Sequence, residues 1–229
     1  MAICIIPARG GSKRIPDKNI RPFLGKPVIV RAIDLAQQSG CFEKVVVSTD
    51  SAEVKRIAEG AGADVPFMRP DELSDDYAST ISVIRHACGH FPSEEEICCL
   101  YPATPLIRSA DLKKGAELLE RADFVIPVTA YAHPVERALK LNQQGFLTMA
   151  DSQSYAFRSQ DLREYYHDVG AFYWGSKEAW LHFDNPFSGT VSHIRIPRSR
   201  AQDIDTFEDW EFAEFLYQFS QKTELGKKH

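Results

Sequence analysis

No apolar run in the sequence approaches the roughly 20 residues that a membrane-spanning helix needs, so no membrane association is expected. The N-terminus lacks a basic segment ahead of an apolar signal core. Its only apolar run is strand-sized, and a cytoplasmic location is the expectation. Cysteine is scarce and scattered: Cys4, Cys41 and Cys88 stand alone, and Cys98 and Cys99 are adjacent. None has zinc-ligand spacing, which points to reduced, mostly buried thiols rather than a metal cluster or a disulfide framework. Positive charge is in the minority, with 27 Lys and Arg against 32 Asp and Glu, and the pI is near 5.8. That balance argues against a nucleic-acid partner. Two common phosphate-binding patterns are absent as well. No third glycine follows Gly10 and Gly11 at the offset that G-x-G-x-x-G requires, and G-x-x-x-x-G-K-[ST] does not occur.

What the chain does have is a distinctive beginning. Residues 3–7 form a short apolar run of the kind that makes a buried strand. The apolar pattern then stops at Ala8-Arg9-Gly10-Gly11-Ser12-Lys13. A glycine pair allows a sharp turn with exposed amides, which can form a nest for an anion. Between Arg9 and Lys26 there are six Lys or Arg and one Asp, in a chain whose formal net charge is -5. Backbone donors ringed by cations directly after a strand suit a polyphosphate, and open α/β sheets bind ligands at that place.

At 229 residues, 44% hydrophobic and 26% charged, the chain is expected to form a single globular domain over 1–229. Residues 27–39 carry apolar side chains at helical spacing, with Gly40 as a C-terminal cap. Residues 44–49 read as a β-branched strand, and Asp50 with Glu53 as the capping box of a second helix. Strands are expected near 96–101, 124–129, 170–174 and 192–196, and helices at 109–121 and 207–219. The alternation predicts a three-layer α/β/α sandwich with a mostly parallel sheet. The last helix, rich in aromatics, is expected to pack on that sheet, and the tail Lys227-Lys228-His229 to be disordered. Ser48-Thr49-Asp50 ends a strand and can cap a helix, contact a ligand, or do both. Across 131–167 periodicity weakens and polar residues dominate, which reads as an insertion into the domain.

Near the C-terminus comes Asp203-Ile204-Asp205. If this stretch is extended, both carboxylates point one way and Ile204 points into the core. Two carboxylates on one face suit Mg²⁺, which completes its shell with water and phosphate oxygens. The same residues also read as the cap of the last helix, with Glu208 and Asp209 in its first turn.

The run Pro7-Ala8-Arg9-Gly10-Gly11-Ser12-Lys13, followed by Lys18-Asn19, resembles the signature loop of the acylneuraminate cytidylyltransferases, which transfer CMP from CTP to nonulosonic sugars. A second match is Arg69-Pro70-Asp71-Glu72-Leu73-Ser74-Asp75-Asp76-Tyr77-Ala78-Ser79. The resemblance covers nearly the whole chain and implies a fold like that of the nucleotide-diphospho-sugar transferases. It implies nucleotide contacts from Ala8, Arg9, Gly10, Gly11, Ser12, Lys13, Asn19, Arg69, Ala78 and Thr80. It also implies Mg²⁺ on Asp203 and Asp205, with Mn²⁺ able to substitute. Arg9, Lys13 and Asp203 would then be the catalytic groups. The 131–167 insertion would be the arm of a homodimer that reaches the partner's sugar site, and Tyr101, Arg158, Gln160, His167 and Asp168 would hold the sugar.

Sialic-acid members carry glutamine where this chain has Tyr101, and arginine at Ile107. The stretches 133–139 and 158–174 resemble the branch of the family that acts on pseudaminic acid. The expected activity is therefore coupling of CTP to pseudaminic acid for flagellin or surface glycans. The alternatives are a sialic or legionaminic acid enzyme, and an inactive nucleotide-binding protein on the same fold.

Overall fold

The computed structural model describes residues 2–226, with side chains through residue 222; the expected disordered tail at 227–229 lies outside the described residues. Strand β1 (Ala2–Pro7) is the apolar run read from the sequence. A two-strand ribbon, β2 (Pro22–Phe23) and β3 (Lys26–Pro27), follows the glycine loop and leads into helix α1 (Val28–Ser39). Gly40 ends α1 in the left-handed conformation at φ 67°. Next come β4 (Lys44–Ser48), α2 (Ala52–Gly60), α3 (Thr80–Cys88), β5 (Glu96–Leu100), α4 (Ser109–Leu119) and β6 (Phe124–Ala130). The 131–167 stretch contains a hairpin of β7 (Leu139–Leu141) and β8 (Leu147–Met149), and it returns to the sheet through β9 (Tyr166–Asp168). The chain closes with β10 (Phe172–Ser176), α5 (Lys177–His182), β11 (Val191–Arg195) and α6 (Phe207–Gly226).

The main sheet has the strand order β11-β6-β10-β5-β1-β4, with β9 added against β6. Strands β4, β1 and β5 are mutually parallel, as are β6 and β11. Strand β10 lies between β5 and β6 and runs against both. The expectation of a mostly parallel sheet is met. The reversed strand was not legible, because a buried strand shows the same apolar run in either direction.

Side chains along β1 alternate between two cores. Cys4 and Ile6 pack with Ile29 and Ile33 of α1, Ala58 of α2 and Leu112 of α4. Ile3 and Ile5 pack on the other face with Ile84 and Ala87 of α3 and Trp180 of α5. Helices thus cover both faces, which is why β1 is apolar throughout.

Two local expectations are corrected. Helix α2 is capped by Ser51, whose side chain accepts the Val54 amide, and not by Asp50. Helix α6 does not lie on the sheet. Its Trp210 and Ala213 pack with Ile15, Phe23, Val28 and Ile204, while Phe212, Phe215 and Phe219 are exposed. Trp210, Ala213 and Tyr217 share the spacing of Phe212, Phe215 and Phe219, so periodicity offered two equivalent stripes.

Candidate active site

From β1 the chain passes first to β4 on one side and then to β5 on the other. The loops leaving β1 and β5 therefore diverge, and a crevice opens outside the carboxyl ends of the strands. A cleft of about 840 Å³ occupies this place. Arg9, Ser12, Lys13 and Asn19 line it from the first loop, Arg69, Ala78 and Thr80 from the second, Tyr101 and Asp168 from the sheet, and Asp203 and Asp205 from the stretch before α6. These residues lie up to 196 positions apart, from 9 to 205, and one cavity gathers them.

The glycine pair works differently from the expectation. Neither Gly10 nor Gly11 has a positive φ. Gly10 is required by close approach, since a Cβ there would lie 2.9 Å from the Cβ of Ser51. Its N–H donates to Asp50 Oδ1 at 2.8 Å, so this amide is committed to a carboxylate and is not open to an anion. Asp50 thus ties the loop to the end of β4 instead of capping α2. Gly11 borders open space. Ala8, Gly10 and Gly11 are not among the residues lining the cleft. Asn19 braces the loop by donating from Nδ2 to the Arg9 carbonyl at 2.9 Å.

A small apolar cluster links the loop to the acidic pair. Ile15 and Ile204 are both fully buried in it, against Phe23 and Trp210. Their neighbours meet outside: Arg14 contacts Asp205 at 2.8 Å and Lys18 contacts it at 3.6 Å. Ile204 points inward as expected, and Asp203 and Asp205 both face the cleft. Burial, and then repulsion from Asp205, raise the pKa of Asp203 above the usual carboxylate value. Gly170 lies beside that carboxylate at φ 66°, a left-handed conformation that favours glycine; a Cβ there would make ordinary contact with Oδ2 at 3.6 Å. Among the described residues, no group of three or more His, Cys, Asp or Glu could hold a metal. Two carboxylates still fit a hard cation that shares its shell with water and phosphate oxygens.

Arg9 and Lys13 already have a partner. Arg9 contacts Asp76 Oδ1 at 2.7 Å and donates to the Asp75 carbonyl at 2.7 Å, and Lys13 pairs with Asp76 Oδ2. Hydrogen bonds from Lys13 and Arg9 hold Asp76 below the ordinary carboxylate pKa. Reading the sequence missed this residue. The available signal was charge complementarity, since the loop holding Asp71, Glu72, Asp75 and Asp76 faces the basic one.

Arg69 is buried and fixed to the end of β4, donating to Ser48 Oγ at 3.1 Å and to the Ser48 carbonyl. Burial lowers its pKa to about 10, so it stays charged at neutral pH. Thr80 starts α3 while Ser79 caps it. The Thr80 hydroxyl meets the Tyr101 hydroxyl at 2.6 Å. Tyr101 and Tyr173 stand edge to face with ring centroids 5.7 Å apart, and burial raises both phenol pKa values. Tyr173 also donates to Asp168 Oδ2, and the Gly170 amide donates to Asp168 Oδ1 at 2.7 Å. Asp168 is thereby held rigidly at the cleft wall.

The other expected sugar contacts are not in this cleft. Asp168 and His167 are adjacent on β9 and alternate in direction. His167 is exposed and meets Tyr131 edge-on at 4.9 Å. Arg158 is exposed and pairs with Asp161 at 2.9 Å, and Gln160 is exposed on the same turn.

A family model described as Cytidylyltransferase matches residues 3–225. A curated relative from Campylobacter jejuni subsp. jejuni, named pseudaminic acid cytidylyltransferase, is 44% identical over 96% of this chain and 98% of its own. An N-acylneuraminate cytidylyltransferase from Escherichia coli is 32% identical over 97% of this chain and 54% of its own. Among solved structures, a CMP:2-keto-3-deoxy-manno-octonic acid synthetase complexed with CTP superposes with a TM-score of 0.71 at 18% identity, over 96% of this chain and 99% of that one.

Proposed function

The chain belongs to the cytidylyltransferase family, and we propose that it couples CTP to pseudaminic acid, giving CMP-pseudaminic acid and pyrophosphate. The observation that carries this reading is the meeting of the Arg9–Lys13 loop, Asp203 and the Tyr101–Tyr173–Asp168 wall in one cleft. The high identity to the Campylobacter jejuni enzyme supports the choice of sugar.

The anomeric hydroxyl of the sugar attacks the α-phosphorus of CTP and gives up its proton to water, a new P–O bond forms, and pyrophosphate leaves with the electron pair of the broken bond. Such transfers ask the protein mainly for positioning and charge stabilisation. Arg9 and Lys13 would hold the triphosphate and offset the charge growing on pyrophosphate. Arg69, Ala78 and Thr80 would bound the cytidine. Asp203 and Asp205 would hold the divalent ion, Mg²⁺ with Mn²⁺ as substitute. Bound there, the ion would supply positive charge against phosphate oxygens and acidify the sugar hydroxyl. Tyr101, Tyr173 and Asp168 would face the sugar with aromatic surface and one fixed acceptor for an amide N–H. This suits a sugar with two acylamino groups and a terminal methyl.

The arm supports a homodimer. Leu139, Leu141, Phe146, Leu147 and Tyr155 are all exposed on it, an apolar surface that a second copy would cover. Arg158, Gln160 and His167, which stand outside their own cleft, would then serve the partner's. Among the described residues no helix is long and apolar enough to cross a membrane.

The test is pyrophosphate release from CTP with pseudaminic, legionaminic and N-acetylneuraminic acids. The expected result is a specificity constant highest for pseudaminic acid. A ratio favouring N-acetylneuraminic acid would overturn the substrate and leave the chemistry intact, and no release with any of the three would indicate an inactive nucleotide-binding protein.

A further inference from the structure

The first loop and the stretch after it put four cations at the cleft: Arg9, Lys13, Arg14 and Lys18. Two carboxylates divide them. Asp205 takes Arg14 and Lys18, and Asp76 takes Arg9 and Lys13. The second pairing is unusual in its position. Asp76 binds with one oxygen to each of the two side chains assigned to the triphosphate, as two oxygens of a phosphate group would.

We propose that Asp76 is a positioning residue, the resident counter-ion of the triphosphate site, which holds Arg9 and Lys13 in the empty enzyme and is exchanged for the phosphates when CTP binds. The proposal rests on reading the cleft as a CTP site, and it adds a residue that neither the loop motif nor the acidic pair contains.

Three features favour exchange over a fixed structural bridge. First, the pair is accessible: the Asp76 side chain is 36% exposed and that of Lys13 is 81% exposed. Exposed ion pairs contribute little to stability, so a ligand carrying several negative charges can break this one at small cost. Second, the loop keeps its shape without Asp76. Asp75 folds it, with Oδ1 accepting the amides of Tyr77 at 2.9 Å and Ala78 at 2.7 Å. The Asp76 carboxylate can therefore rotate away while the backbone stays in place. Third, the loop runs directly into Ala78 and Thr80, the proposed cytidine boundary, and Thr80 is joined to Tyr101. Departure of Asp76 from the cations and arrival of the nucleotide are events on one short segment.

A counter-ion of this kind has two effects that oppose each other. It keeps two long, flexible cations gathered in the geometry the phosphates need, which lowers the ordering cost of binding. It also competes with the ligand for those cations. At equilibrium the competition dominates, because Asn19 and Asp50 already fix the loop backbone beneath the side chains.

The test compares wild type with Asp76→Asn and Asp76→Glu by calorimetric titration with pyrophosphate and, separately, with cytidine, at one fixed magnesium concentration. Asp76→Asn should bind pyrophosphate about tenfold more tightly, the scale of two exposed ion pairs no longer displaced. Cytidine affinity should not change, and Asp76→Glu should return the pyrophosphate affinity toward wild type. Circular dichroism confirms that each variant is folded. Unchanged or weaker pyrophosphate binding by folded Asp76→Asn overturns the proposal, as does an equal shift for cytidine. A wild type that binds neither pyrophosphate nor cytidine would instead overturn the CTP reading on which it stands.

Discussion

Replacing Gly10 with alanine separates contact from conformation as the reason for the glycine pair. The added Cβ would lie 2.9 Å from the Cβ of Ser51, closer than side-chain carbons approach. Ser51 cannot yield easily, because it is the N-cap of α2 and its hydroxyl is engaged by Val54. The loop must rise instead, and this stretches the 2.8 Å bond from the Gly10 amide to Asp50. Overpacking of this kind costs about 1–3 kcal/mol, and in a chain of 229 residues that lowers Tm by roughly 2–12 °C. The functional effect is larger. Arg9 and Lys13 flank the displaced backbone, and a shift on the order of 1 Å in a positioning group costs about 10²-fold in rate. Gly11 provides the control, since a Cβ there meets nothing within 4 Å and its φ is not positive. Thermal melts and pyrophosphate-release kinetics on Gly10→Ala and Gly11→Ala should show a fall in Tm for the first and none for the second. The reasoning fails if Gly10→Ala melts with wild type and keeps its kcat/KM, or if both variants lose the same stability.

Three further outcomes follow from the site. Asp203→Asn should fold normally and lose most activity, because this cleft carboxylate is one of the two proposed donors for the divalent ion; near-normal magnesium-dependent turnover by the Asp203→Asn/Asp205→Asn double variant would refute the assignment. Lys13→Ala should reduce kcat by at least about 10²-fold, the scale of one deleted transition-state donor; a change confined to the KM of the sugar would show that its role lies elsewhere. For Asp76 the folded pKa is depressed, so its ion pairs act above the ordinary Asp value and are lost as pH falls through the folded one. The difference in pyrophosphate affinity between wild type and Asp76→Asn should therefore be constant from about pH 6 to 8 and shrink below about pH 4; a difference that grows on acidification would contradict the pairing.

The parts of this molecule that were legible in the sequence are those governed by local periodicity. β1, α1 and β4 follow from runs and spacings within a dozen residues, and Gly40 ends α1 as its position implied. The inward Ile204 between two outward carboxylates was legible for the same reason. Pairings between distant segments were not. Asp76 meets Lys13 across 63 positions (76 minus 13), and nothing local in either loop names the other. Asp50 looked like a cap because helix caps are local and its actual partner, Gly10, is not. Arg158, Gln160, His167 and Asp168 were grouped by the family resemblance, as sugar contacts of an arm that reaches a partner's site, and local pattern alone does not say which of them face this chain's own cleft. Alternation along β9 and the turn at Ser159–Asp161 leave Asp168 in that cleft and the other three outside it.

The reversed strand β10 bears on how this enzyme can be inherited in pieces. Because it runs against β5, its leading end and not its trailing end opens on the cleft, where the Tyr101 backbone N–H donates to the Ala171 carbonyl at 2.9 Å. Two of the three residues of the proposed acceptor wall, Asp168 and Tyr173, are thereby encoded in one short block, apart from Tyr101, from the proposed nucleotide contacts between Arg9 and Thr80, and from Asp203 and Asp205, which follow it. A recombination that exchanged this block would change Asp168 and Tyr173 together and leave Arg9, Lys13, Arg69 and Tyr101 as they are.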